Sequence, residues 1–143
     1  MDENWREIIA EWQGDMAFVG RNASGGQVQM GSLQDQPGLS PMELLLAALA
    51  GCTGMDIISI LQKKRQTPMA MQVKVRARRA EDYPKVFTEF EVIYLIWGEG
   101  IQASAVEQAI QLSEEKYCSV GLMLEKAAPI RSSYRLLSPG EMA

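Results

Sequence analysis

Cys52 and Cys118 are the only cysteines in this chain of 143 residues, and the chain contains no histidine. That combination narrows the chemistry. Without histidine there is no Ser–His or Cys–His pair, and a dedicated zinc site is disfavoured. What two thiols can do together is exchange electrons: one thiolate attacks an oxidant, and the second thiol closes a disulfide. Two cysteines far apart in sequence can do this only where the fold brings both sulfurs within disulfide reach. Cysteine is also a common small buried hydrophobe, so residue type alone leaves a packing role open for each.

Cys52 lies in the stretch that organises the chain, Ser40 to Gln66 (SPMELLLAALAGCTGMDIISILQKKRQ). Ser40 stands at an N-cap position, Pro41 at the first helical position and Glu43 three residues past the serine. This is a capping box with a proline whose φ is already helical. Lys63, Lys64 and Arg65 close the pattern where the helix dipole is negative. Apolar residues occupy nearly every side, so the helix must be buried on nearly every side. Ala47, Ala48, Ala50, Gly51 and Gly54 allow close backbone approach, although each glycine costs about 1 kcal/mol relative to alanine. Mid-helix is a poor place to lower a thiol pKa, because the dipole acts mainly in the first turn. Asp56, four residues after Cys52, opposes ionisation if the two side chains meet. An activating cation has to come from elsewhere.

The remaining elements follow from periodicity and turn chemistry. Residues 6–12, with Ile8, Ala10 and Trp12 in alternation, predict a strand; Met16 to Arg21 and Gln27 to Leu33 predict two more, joined by a turn through Asn22, Ala23, Ser24, Gly25 and Gly26. Gln34 to Leu39 leads into the helix, and Thr67 and Pro68 follow its end. Met71, Val73, Val75 and Ala77 alternate with Gln72, Lys74, Arg76 and Arg78 as a half-buried strand. Glu81 to Lys85 reads as a turn and Val86 to Trp97 as a long strand carrying Phe90, Val92, Tyr94 and Ile96 in step. Ser104 and Glu107 suggest a second capping box, with Val106, Ala109, Ile110 and Ser113 on one helical face. That helix runs out near Lys116 and Tyr117, just before Cys118. A short helix through Leu122 and Leu124 and a last strand, Ile130 to Leu136, complete the chain. Strands with segregated helices make the fold class α+β. One sheet of this size does not cover so apolar a helix, so a second subunit is expected on its other side.

Composition sets further bounds. With 47% hydrophobic and 22% charged residues, the chain has the make-up of a single soluble globular domain. Gly, Thr and Asp56 interrupt the apolar run of the central helix, which argues against a membrane span. The acidic start, MDENWREII, lacks an apolar secretory core, so a cytoplasmic location is expected. In a reducing compartment the two cysteines are not a permanent staple. The net charge is −4, yet half of the fourteen basic residues fall between Lys63 and Arg79, with no acidic residue between Ile57 and Ala80. Such a patch suits a polyanion. The alternation of Lys74, Arg76 and Arg78 is better explained as the solvated face of a strand, and no nucleic-acid motif accompanies it. The nine methionines read as gap-fillers rather than metal ligands.

Three segments, in this order, resemble the OsmC/Ohr superfamily and within it the general OsmC-like branch: SPMELLLAALAGCTGMD around Cys52, DYPKVFTEFEVIY, and EEKYCSVGLML around Cys118. The resemblance implies one OsmC-like domain over residues 1–143, with antiparallel sheets wrapped around a long buried central helix. It also implies an intertwined homodimer in which two such helices pack together, with sites at the subunit interface.

The activity implied by the resemblance is that of a thiol-dependent peroxidase acting on organic hydroperoxides. Cys52 would attack and Cys118 resolve. An external dithiol would reduce the product, with no metal or organic cofactor. In the peroxidase branches a loop arginine near the N-terminal strands activates the thiolate, and the matching residue is Arg21, ahead of NASGG; as a plain hairpin residue it would simply be solvated. One departure stands out. Those branches carry a glutamate immediately after the helix proline, where it holds the arginine, whereas here that position is Met42. Glu43, one residue on, points about 100° away around a helix and is already accounted for by the cap. The rival reading is a non-enzymatic dimer that binds an apolar small molecule in its interface cavity. A weaker rival is an anion or nucleic-acid binder using the basic patch.

Overall fold

A computed structural model of the chain describes residues 4–143, so the first residues of the acidic N-terminal segment lie outside the description. Two compact units divide the chain, Met1–Leu45 and Leu46–Ala143.

The N-terminal unit holds a three-stranded antiparallel sheet of β1 (Ile9–Gly14), β2 (Ala17–Arg21) and β3 (Gln27–Met30), in that spatial order. The β2–β3 turn forms where NASGG predicts one. The Asn22 side-chain oxygen accepts from the Ser24 and Gly26 amides at 3.1 and 2.8 Å, an Asx arrangement that reinforces the backbone bond from the Asn22 amide to the Gly26 carbonyl at 3.0 Å. β3 stops at Met30 instead of reaching Leu33. Gly31 takes a φ of +72°, and a Cβ there would lie 2.1 Å from the Met16 carbonyl oxygen. Only glycine fits that position. The Ser40 box forms reciprocally: the Ser40 amide donates to Glu43 Oε1 at 2.9 Å, and the Glu43 amide donates to Ser40 Oγ at 3.1 Å.

That cap opens α1 (Pro41–Lys63), most of which belongs to the C-terminal unit. There the second sheet contains β4 (Ala70–Arg79), β5 (Phe87–Trp97) and β6 (Ile130–Leu137), in the order β4-β5-β6. Tyr94, Phe90, Ile96 and Val92 from β5 join Ile57 and Leu61 from α1 in the core. On the other face of the hairpin, Arg76 pairs with Glu91 at 2.6 Å and Arg78 with Glu89, residues directly opposite in register. Arg131 on β6 reaches Glu89 at 3.6 Å. The basic stripe is thus faced by an acidic row, as cross-strand pairing favours.

Two expectations are corrected. The second sheet is not wholly antiparallel, because β5 and β6 run parallel from Phe90↔Ile130 to Trp97↔Leu137. A parallel neighbour needs a long crossover, supplied by α2 (Ala103–Leu112), a π-helical turn (Ser113–Tyr117) and α3 (Ser119–Leu124). The Ser104–Glu107 box does not form. α2 starts at Ala103 with Gln102 as an uncapped N-cap, so Ser104 is already inside the first turn, and Glu107 instead accepts from the Tyr134 hydroxyl at 2.6 Å. The single chain covers one side of α1. Only Leu49, Thr53, Ile57 and Leu61 are buried, every fourth residue along one stripe, while Met55 is 75% exposed. α1 is long and apolar enough to cross a membrane by length and composition. Its buried stripe is instead hydrogen-bonded to β5 and to the π-helical turn through Thr53.

Candidate dithiol site

Cys52 sits in the middle of α1, half-buried; Cys118 is buried, 1% exposed, and both are free thiols. The fold brings them together. Cys52 is among the neighbours that act on the Cys118 thiol, although β4, β5 and α2 separate the two in sequence.

Cys118 is placed by the local backbone. The five residues before it form the π-helical turn, closed by a hydrogen bond from the Cys118 amide to the Ser113 carbonyl at 2.7 Å. Cys118 then turns extended, with φ −79° and ψ 92°, and its Sγ accepts from the Gly121 amide at 3.2 Å. Single π-helical turns of this kind recur at functional sites.

Beneath the cysteines runs a buried line of hydroxyls. Tyr94 and Thr53 share a hydrogen bond of 2.8 Å, Thr53 and Ser113 one of 2.9 Å, and Ser113 donates to Asp56 Oδ2 at 2.9 Å. Each hydroxyl has a single proton, and an ionised carboxylate only accepts. Ser113 spends its proton on Asp56, so Thr53 must donate to Ser113 and Tyr94 to Thr53. The direction Tyr94→Thr53→Ser113→Asp56 is therefore fixed whenever Asp56 is charged. No buried side-chain polar atom among the described residues lacks a partner.

The electrostatics around Cys118 keep its thiol protonated. Burial pushes the Cys118 thiol up to about 11; the neighbouring Cys52 and the Asp56 charge act in the same direction, and only the Gly121 amide opposes them. Cys118 is therefore a neutral thiol at pH 7. The Asp56 charge, expected from its spacing to face Cys52, bears on the Cys118 thiol. Burial likewise raises the Tyr94 phenol, which keeps it a donor.

Beside Cys118 lies a cavity of about 200 Å³, lined by Leu49, Val92 and Ile130 together with Glu114, Glu115 and Glu125. Burial, with the charges of Glu115 and Glu125, raises the Glu114 carboxyl, while the Ser132 hydroxyl, donating to it at 2.7 Å, lowers it. Among the described residues, no group of three or more Cys, Asp or Glu side chains is arranged to hold a metal.

Arg21 ends β2 in the N-terminal unit, where it pairs with Glu11 at 3.1 Å and donates to Gln27 at 3.2 Å. A carboxylate does hold this arginine, supplied by β1. Glu43 is occupied by the Ser40 cap, which lowers its pKa. Thr53, Ser113 and Tyr94 were not singled out for chemistry from the sequence. The available signal was a threonine inside an apolar helix and a tyrosine in an inward-facing strand row, since buried hydroxyls need partners.

Comparison with known proteins agrees with this architecture. The family model described as OsmC-like protein matches residues 33–133. Protein YhfA of Escherichia coli K12 is 41% identical over 128 residues, covering 90% of this chain and 96% of YhfA. A crystal structure of a hypothetical protein from Aquifex aeolicus VF5 is 32% identical, with a TM-score of 0.84 over 94% of this chain and 98% of that one. An organic hydroperoxide resistance protein OsmC from Legionella pneumophila shares the fold at 13% identity, with a TM-score of 0.63 over 90% of this chain and 96% of that one. With its α+β fold and its matched segment carrying both cysteines, the chain belongs to the OsmC-like protein family.

Proposed function

We propose that this protein is an OsmC-like thiol peroxidase that reduces organic hydroperoxides through Cys52 and Cys118. The observation that supports the proposal is that the fold makes Cys52 a neighbour acting on the Cys118 thiol, far from it in sequence. Organic hydroperoxide resistance proteins among the structures of the same fold support the substrate class.

Cys52 is the attacking residue. It is the more accessible thiol, and Cys118 is held protonated. The Cys52 thiolate attacks the hydroperoxide; an S–O bond forms, the O–O bond breaks, and the departing alkoxide takes a proton to become an alcohol. Cys118 then attacks the Cys52 sulfenic acid. The S–S bond forms, and hydroxide leaves as water with the Cys118 proton. An external dithiol returns two electrons and two protons. Arg21, held by Glu11, is the candidate cation for the Cys52 thiolate.

The working unit in this reading is a cytoplasmic homodimer of a single OsmC-like domain. Support comes from the uncovered apolar side of α1, where Gly51, Gly54, Met55 and Ile58 line an open groove with Met71 and Val73. Light scattering at micromolar concentration should give twice the chain mass; a folded monomer removes the dimer from the reading.

Mass spectrometry after hydroperoxide exposure tests the chemistry. Wild type should end as a 52–118 disulfide that dithiothreitol reverses. Cys118→Ser should consume about one equivalent per subunit and stop at Cys52 sulfenic or sulfinic acid, and Cys52→Ser should consume nothing above background. Two free thiols in oxidant-treated wild type would sink the peroxidase and leave a ligand-binding dimer as the better account.

A further inference from the structure

Ser113 is bonded to both cysteine-bearing segments at once. Its carbonyl accepts from the Cys118 amide at 2.7 Å. Its hydroxyl, 0% exposed, accepts from Thr53 at 2.9 Å and donates to Asp56 at 2.9 Å. Thr53 directly follows Cys52 in α1, and Asp56 lies one turn further on. One side chain and its own carbonyl therefore bridge the Cys52 turn of α1 to the residue that carries the second thiol. The π-helical turn makes this possible: the widened i→i+5 bond keeps Ser113 inside the helical path while Cys118 leaves it.

We propose that Ser113 is a positioning residue for the dithiol, a clamp that holds Cys118 against α1 and so sets how stable the 52–118 disulfide is. Thr53 is the clamp's anchor on the helix. The proposal rests on the reading that this pair cycles between dithiol and disulfide, but not on which oxidant drives it.

The physical basis is effective concentration. Closing the disulfide within the chain is favoured, relative to a free dithiol, by how closely the two sulfurs are held together. Loosening the clamp lowers that effective concentration without changing either thiol chemically. The reaction is Cys52–SH plus Cys118–SH plus oxidised dithiothreitol giving the protein disulfide plus reduced dithiothreitol, in which two electrons and two protons pass to the reagent.

The test equilibrates full-length protein with dithiothreitol redox buffers, traps free thiols by alkylation and weighs the products. Ser113→Ala should lower the equilibrium constant for disulfide formation at least tenfold, a potential about 30 mV less reducing. Thr53→Val should move it at least threefold in the same direction, and Thr53→Ser, which keeps the hydroxyl, should stay within threefold of wild type. If Ser113→Ala does not fold, the Thr53 pair decides. A merely structural Ser113 predicts a lower melting temperature with an unchanged equilibrium constant, and that result overturns the clamp. A wild type that forms no 52–118 disulfide in oxidised dithiothreitol overturns it too. A wild type that cycles with dithiothreitol but ignores hydroperoxide sinks the peroxidase alone, and the comparison of variants still decides the clamp.

Discussion

The Gly121 amide points at the Cys118 sulfur from 3.2 Å, and a Cβ on Gly121 would stand 3.2 Å from the same sulfur and 3.4 Å from Leu49 Cδ1. Glycine there lets α3 turn its backbone onto the thiol.

Gly121→Ala sets two effects against each other. Alanine gains about 1 kcal/mol of helix propensity, while overpacking a closed site costs roughly 1–3 kcal/mol. Cys118 is buried and held by Ser113, so the overpacking term should win. Urea unfolding is expected to show a net loss of up to about 2 kcal/mol, and a stabilised variant would mean that the sulfur moves aside.

Cys118 also predicts a pH dependence. Its folded pKa, about 11, lies above the ordinary 9.0. The unfolded chain therefore loses this proton first, and the thiol's contribution to stability is fully present below pH 9 and lost as pH rises to about 11. Urea midpoints of reduced protein should fall across that window. Replacing Asp56 with Asn removes a charge that raises the thiol, so Cys118 alkylation by iodoacetamide should begin at lower pH in Asp56→Asn. An unchanged alkylation profile would place Asp56 outside the thiol's field.

The direction of the hydroxyl line ranks its members. Tyr94→Phe removes only the first donor, and Thr53 keeps its bond to Ser113, so the loss should be about 1 kcal/mol. Ser113→Ala leaves both the Thr53 proton and the Asp56 carboxylate without their partner, and should cost more, roughly 2–3 kcal/mol. Equal losses in denaturant titrations would contradict the assigned direction.

Arg21→Ala should slow hydroperoxide consumption more than tenfold with fold and assembly intact, and Glu11→Gln should give a smaller loss of the same sign, since Glu11 holds the guanidinium. Stopped-flow oxidation of reduced protein measures both. Unchanged rates would transfer the activating role to another cation.

What was legible in the sequence is what is local. The Ser40–Glu43 box needs four consecutive residues and formed as read. The β4 alternation and the inward row of β5 follow from a period of two. Ser104 and Glu107 show the limit of the same reasoning: a motif with correct spacing lost to a helix start two residues earlier and to a tyrosine from β6. The parallel direction of β6 was not legible, because it depends on where the crossover delivers the chain. Ser113 read as one more position on a helical face. Its bonds to Thr53 and Asp56 exist only once α1 lies alongside the π-helical turn. The pairing of Cys52 with Cys118 was expected only through family resemblance, since neither spacing nor composition encodes it.

The parallel β5–β6 ladder has a consequence for how the chain matures. The β4–β5 hairpin closes a short loop and can form while later residues are still being synthesised. β6 joins β5 only after the whole crossover has been made, a long loop whose closure entropy is offset by late contacts. Cys118 lies within that crossover, ahead of the strand that ties it down. On the ribosome Cys52 therefore emerges before the crossover that carries Cys118, and that crossover is tied down only when the C-terminal strand has been made.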